Sequence, residues 1–116
     1  MDQVFSQMVA RLTGVKLFNV SARLQSSNRG ERLAAYAYLH ANPATEHLDD
    51  LIDALVTEDK PYGEYQAALA AERLVQTDPN ALNPRLCKRL DDRLREVPGG
   101  SDRASVLRRI LQYCRR

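Results

Sequence analysis

With 116 residues the chain has room for one domain with a continuous core, so neither metal nor disulfide staples are required to hold it together. Alanine and leucine supply much of the apolar content, while aromatics make up only 6% and tryptophan is absent, which argues against a sheet and for an all-α fold. The net charge of +2 and a pI near 8.7 fall short of what a dedicated nucleic-acid domain carries. No basic n-region leads into an apolar run at Met1-Asp2, and no stretch of 18 apolar residues occurs, so a soluble, cytoplasmic protein with no membrane contact is expected.

In chain order the pattern predicts about seven helices. The first covers roughly Asp2 to Leu12, with Phe5, Met8, Val9 and Leu12 on one face and Gly14 as its stop. The second runs from about Val15 to Gln25, although VKLFNV also has the composition of a strand start. After the polar break Ser26 to Gly30, a helix from about Arg29 to Ala41 ends at Asn42-Pro43, because proline pushes its predecessor out of the α region. Thr45 is placed to cap the next helix, whose apolar stripe is Leu48, Leu51, Ile52, Leu55 and Val56. Asp49, Asp50, Asp53, Glu58 and Asp59 are expected on its outer, acidic side.

Lys60-Pro61 opens a segment that is apolar around most of its circumference to Val75, the expected central helix, with Leu69 and Leu74 buried. Asn83-Pro84 gives a cap and a proline at the first helical position for a helix carrying Leu86, Leu90 and Leu94, which Pro98-Gly99-Gly100 breaks. Ser101 caps the last helix, with Val106, Leu107, Ile110, Leu111 and Cys114 on one face. Cys87 and Cys114 each fall on or beside an apolar helical face, which reads as small buried hydrophobes rather than a redox pair.

The domain is accordingly divided into N-terminal helices (1–28), two helix-pair repeats (29–97) and a C-terminal helix (101–116). Leu51 and Leu55 recur as Leu90 and Leu94, and Leu39 as Leu74, at offsets suited to two-helix solenoid units. Alanine-rich helices let backbones approach closely, so the stretch Gly30 to Gln76 resembles a stack of short antiparallel helices of the HEAT type.

Glu31, Arg32, Leu33, Ala34, Ala35, Tyr38, Leu39, Asn42, Pro43, Lys60, Pro61 and Tyr62 follow one another in the order ERLAA-x-x-YL helix, Asn-Pro turn, leucine-rich helix, Lys-Pro-aromatic turn. Over about residues 17 to 75 this resembles the effector-associated domains, small helical adaptors of bacterial signalling and conflict-system proteins. The resemblance implies recruitment of a partner by like-with-like contact, without catalysis.

Charge placement points the same way. Residues 1–83 carry a net charge of −4 and residues 84–116 a net charge of +6, a polarity suited to pairing the acidic face of one copy with the basic helices of another. The candidate partner-binding residues are Asp49, Asp50 and Asp53 on the acidic side and Arg89, Arg93 and Arg109 on the basic side. The alternative is nucleic-acid binding by Arg85, Lys88, Arg89, Arg93, Arg95, Arg103, Arg108, Arg109, Arg115 and Arg116. Against it, Asp91, Asp92, Glu96 and Asp102 are interleaved among them, and Tyr113 is the one aromatic available for stacking. His40 and His47 have no ligand-like spacing to an acidic partner, and the Gly99-Gly100 pair is not followed by Gly-Lys-Ser/Thr. His40 is expected to rim the core, and of Tyr36 and Tyr38, about 200° apart on a helix, one is expected outside. No catalytic residue, metal site or cofactor is read from the chain.

Overall fold

The computed structural model describes residues 19–115, which form six α-helices and three short 3-10 turns, with no strand among the described residues. The helices are α1 (Val20–Leu24), α2 (Arg29–Ala41), α3 (Leu48–Thr57), α4 (Pro61–Thr77), α5 (Pro84–Glu96) and α6 (Asp102–Leu111). The expected helix at Asp2 to Leu12 lies outside the described residues. The expected second helix is seen only as α1, since its first residues also lie outside them.

Side-chain caps fix most of the starts. The Asn19, Asn28, Asn83 and Ser101 side chains accept hydrogen bonds from the backbone N–H groups of Ala22, Glu31, Leu86 and Ala104, at 2.9–3.2 Å. Prolines at the first helical positions of α4 and α5 use a site where the missing N–H is not needed. The expectation for Thr45 is corrected. Thr45 opens a 3-10 turn, Thr45–His47, that leads into α3 without any side-chain cap bond.

Helix α4 is the hub, packed against α2, α3 and α6, while α5 lies beside α3 and α6. Ala67, Ala68, Ala70 and Ala71 of α4 and Ala35 and Ala37 of α2 are fully buried, and such small side chains allow the close approach of these two helices. Leu48, Leu51, Ile52 and Leu55 of α3, Leu74 and Val75 of α4, Leu86 and Leu90 of α5 and Leu107 and Ile110 of α6 complete the core. Leu69 is half-buried at its margin instead of within it, a correction to the reading of α4. Among the described residues no helix is long and apolar enough to cross a membrane.

Candidate functional site

Packing of α3 beside α5 brings the acidic and basic segments face to face within one chain. Asp49 pairs with Arg85 and Asp53 with Arg89, one helical turn further along each helix. Both pairs reach solvent, with Asp49 and Asp53 each 51% exposed in their side chains and Arg85 exposed, while Arg89 is half-buried. On α5 itself, Lys88–Asp92 and Arg95–Asp91 form i,i+4 pairs at 2.9 Å. The result is a seam of alternating charge along α3 and α5 rather than one acidic and one basic surface. The polarity read from the sequence therefore folds back on itself.

Only part of the expected site lies on this seam. Asp49, Asp53 and Arg89 meet there, joined by Arg85. Asp50 is turned toward α1, where its carboxylate accepts the Ser21 hydroxyl at 3.1 Å. Arg109 of α6 grips Glu72 of α4 with two hydrogen bonds, at 2.6 and 3.0 Å, which raise the pKa of its guanidinium. Arg93 points from α5 to Glu64 of α4, and this bond likewise raises its pKa.

Glu64 anchors one of two buried charge clusters that the sequence reading did not find. Its side chain is 2% exposed; Arg93 donates to Oε2, and Arg103 of α6 brings its Nε to 2.6 Å from Oε1 as an ion pair without hydrogen-bond alignment. One carboxylate thereby links α4, α5 and α6. In the second cluster, Glu58 at the end of α3 is fully buried in its side chain and accepts from Arg32 through both Nε and Nη2, each at 3.0 Å. The buried Tyr36 hydroxyl donates to the same carboxylate at 2.5 Å. Burial first, and then this bond, hold the Tyr36 phenol far above its ordinary pKa, so it stays a donor. The placement of Glu58 on the exposed acidic face is thus corrected. The periodic signal was present: 58 continues the 48/51/55 stripe, and 64 begins the 67/68/71/75 stripe.

Gly63 lets the Glu58 carboxyl fit. A Cβ at position 63 would lie 2.9 Å from Cδ and Oε1 of Glu58, closer than van der Waals contact allows. Because Arg32 and Tyr36 pin that carboxylate, it cannot swing away. Gly63→Ala is expected to cost about 1–3 kcal/mol despite the better helix propensity of alanine, measured as a lower denaturation midpoint with unchanged slope.

The basic third of the chain is largely engaged by carboxylates. Arg85, Lys88, Arg89, Arg93, Arg95, Arg103 and Arg109 each pair with an Asp or Glu, and Arg108 donates to the Gly99 carbonyl at 2.6 Å. The reading of the cysteines as small buried hydrophobes rather than a pair is corrected: Cys87 of α5 and Cys114 of the terminal 3-10 turn Gln112–Arg115 are half-buried and form a disulfide, their Cα atoms 6.0 Å apart. His40 is exposed rather than at the core rim, and His47 lies 3.9 Å from the exposed Glu46 carboxylate. No group of three or more His, Cys, Asp or Glu side chains is arranged to hold a metal among the described residues. Tyr36 is buried and Tyr38 half-buried, whereas among the described residues Tyr62 is the exposed large apolar side chain.

No protein-family model, curated protein or solved structure matches this chain.

Proposed function

We propose that the chain is a non-catalytic adaptor that recruits or assembles protein partners, its helices stacked in the HEAT manner and its role that of an effector-associated domain in a bacterial signalling or defence system. The observation that carries this reading is the α3–α5 seam, where Asp49–Arg85 and Asp53–Arg89 are pairs at a fixed spacing with their carboxylates open to solvent. Exposed pairs of this kind contribute about 0.2–1 kcal/mol each, so exchanging them for pairs with a partner costs the fold little. Alternating charge contributes chiefly register and discrimination, which is what an adaptor needs from a contact. In like-with-like assembly a second copy offers the same alternation, and the exchange runs in both directions. Light scattering tests this directly: the weight-average mass should rise with protein concentration at low salt and return to that of one chain at high salt.

Nucleic-acid binding, the alternative, is disfavoured by the same geometry. An arginine already neutralised by a carboxylate releases few counterions when a phosphate approaches. Titration of a labelled duplex should therefore show only weak association with a shallow salt dependence. Specific submicromolar binding at physiological salt would replace the adaptor reading with the nucleic-acid one.

A further inference from the structure

We propose that the Cys87–Cys114 disulfide is a redox modification site, opened in the native protein by a dithiol reductant that enters the cavity beside it. The cavity has a volume of about 470 Å³ and is walled by Pro79, Asn80, Leu82, Pro84 and Tyr113 together with both cysteines. Neither cysteine is buried, so the sulfur pair forms part of an open wall rather than a sealed core. Thiol–disulfide exchange is governed by access to sulfur, and a cavity of this size takes a small dithiol or the reactive side chain of a larger one.

The step balances as ordinary exchange. A thiolate of the dithiol attacks one of the two sulfurs, the Cys–Cys bond breaks, and the other cysteine leaves as a thiolate, which takes up a proton. The second thiol of the reductant then attacks the mixed disulfide and expels the first cysteine. The dithiol is oxidised to its disulfide, and two electrons and two protons arrive at Cys87 and Cys114.

What changes is the hold on the end of the chain. The bond joins α5 to the terminal turn across 27 positions, closing a loop that contains all of α6. Its loss removes the covalent tie on the turn Gln112–Arg115 and restores loop entropy to the unfolded chain, raising the unfolding equilibrium constant by roughly 10²-fold. In an oxidising compartment the site remains closed, whereas in a reducing one it responds to the dithiol supply. This inference does not depend on the adaptor reading: Cys87 shares the first turns of α5 with Arg85 and Arg89, but its bond runs to Cys114 beyond α6 and its state is read by different measurements.

The test is reduction of the intact chain by dithiothreitol, followed by thiol trapping and mass spectrometry. Direct attack on the native protein predicts a reduction rate proportional to dithiothreitol concentration and unchanged by low denaturant. Amide exchange at 112–115 should then rise after reduction and match that of the Cys87→Ser, Cys114→Ser double variant. Asn80→Trp, a substitution at an exposed position on the cavity rim, should slow reduction by about tenfold without altering the spectrum of the folded protein. A rate that saturates with dithiothreitol and climbs with denaturant would show that the bond opens only after unfolding and would overturn the proposal. Two free thiols in air-oxidised protein, or exchange at 112–115 that ignores the redox state, would overturn it equally.

Discussion

Replacing Glu58 by alanine is expected to lower the unfolding free energy by about 3–5 kcal/mol, one of the two largest effects of any single substitution considered for this fold. The side chain has no solvent exposure, and three donors converge on it, two from Arg32 and one from Tyr36. Its removal leaves a guanidinium that is 17% exposed without its counter-charge and a fully buried hydroxyl without an acceptor. An orphaned buried hydroxyl alone costs about 1–3 kcal/mol. The size of the loss reflects the unmatched partners rather than the worth of the cluster. Replacing the whole set with apolar residues, as Arg32→Met, Tyr36→Phe and Glu58→Leu together, should recover most of the stability. Chemical denaturation of the single and triple variants checks both statements, and a triple variant no better than Glu58→Ala would mean that the cluster contributes more than its parts.

Glu64→Ala is expected to cost a similar amount, about 3–5 kcal/mol, by a different route. Arg93 and Arg103 approach the same carboxylate from α5 and α6 and are only 21% and 16% exposed. Without Glu64, two partly buried cations face each other with Glu96, itself exposed, as the remaining acidic partner of Arg93. Repulsion then acts across the junction of three helices. Adding Arg103→Met should restore part of the loss by removing one of the cations, and a thermodynamic cycle over the two positions should give a coupling well above the few tenths of a kcal/mol typical of independent sites. The same logic limits the use of Arg93 in probing an interface, since reversing its charge disrupts Glu64 before any partner is reached.

Helix boundaries were legible because they depend on neighbours in sequence. Asn83 and Ser101 cap as their position before an apolar run suggests, Asn28 caps from within the polar break that the sequence marks, and Pro61 and Pro84 start helices for the same local reason. Thr45 fails because the backbone after Pro43 enters a 3-10 turn before α3 begins, which leaves its hydroxyl out of capping position. Glu58 and Glu64 were hidden by residue type. Their periodicity places them inside, but a lone glutamate at such a position reads as surface until the arginines that neutralise it are known, and those come from 26 and 29 positions away. The disulfide is invisible for a related reason, because nothing local distinguishes two cysteines on separate helical faces from a pair whose Cα atoms lie 6.0 Å apart. Charge polarity was legible as a quantity but not as a direction. Whether −4 and +6 segments meet within a chain or between chains depends on α3 lying beside α5, which tertiary packing decides.

The most direct test of the adaptor account uses a variant in which the seam is inverted but its internal pairing is kept: Asp49→Arg, Asp53→Arg, Arg85→Asp and Arg89→Asp. Each intrachain pair survives with its sign reversed, so folding should be nearly unchanged, which circular dichroism and a denaturation curve verify. If copies assemble by exchanging these pairs, wild type should associate with wild type and inverted with inverted. An equimolar mixture of the two should form no mixed species, because every exchanged contact then opposes like charges. Light scattering at low salt, with the two proteins carrying different fluorophores for co-sedimentation, reads this outcome. Free mixing of wild-type and inverted chains, or a wild type that stays monomeric at high concentration and low salt, would contradict the account.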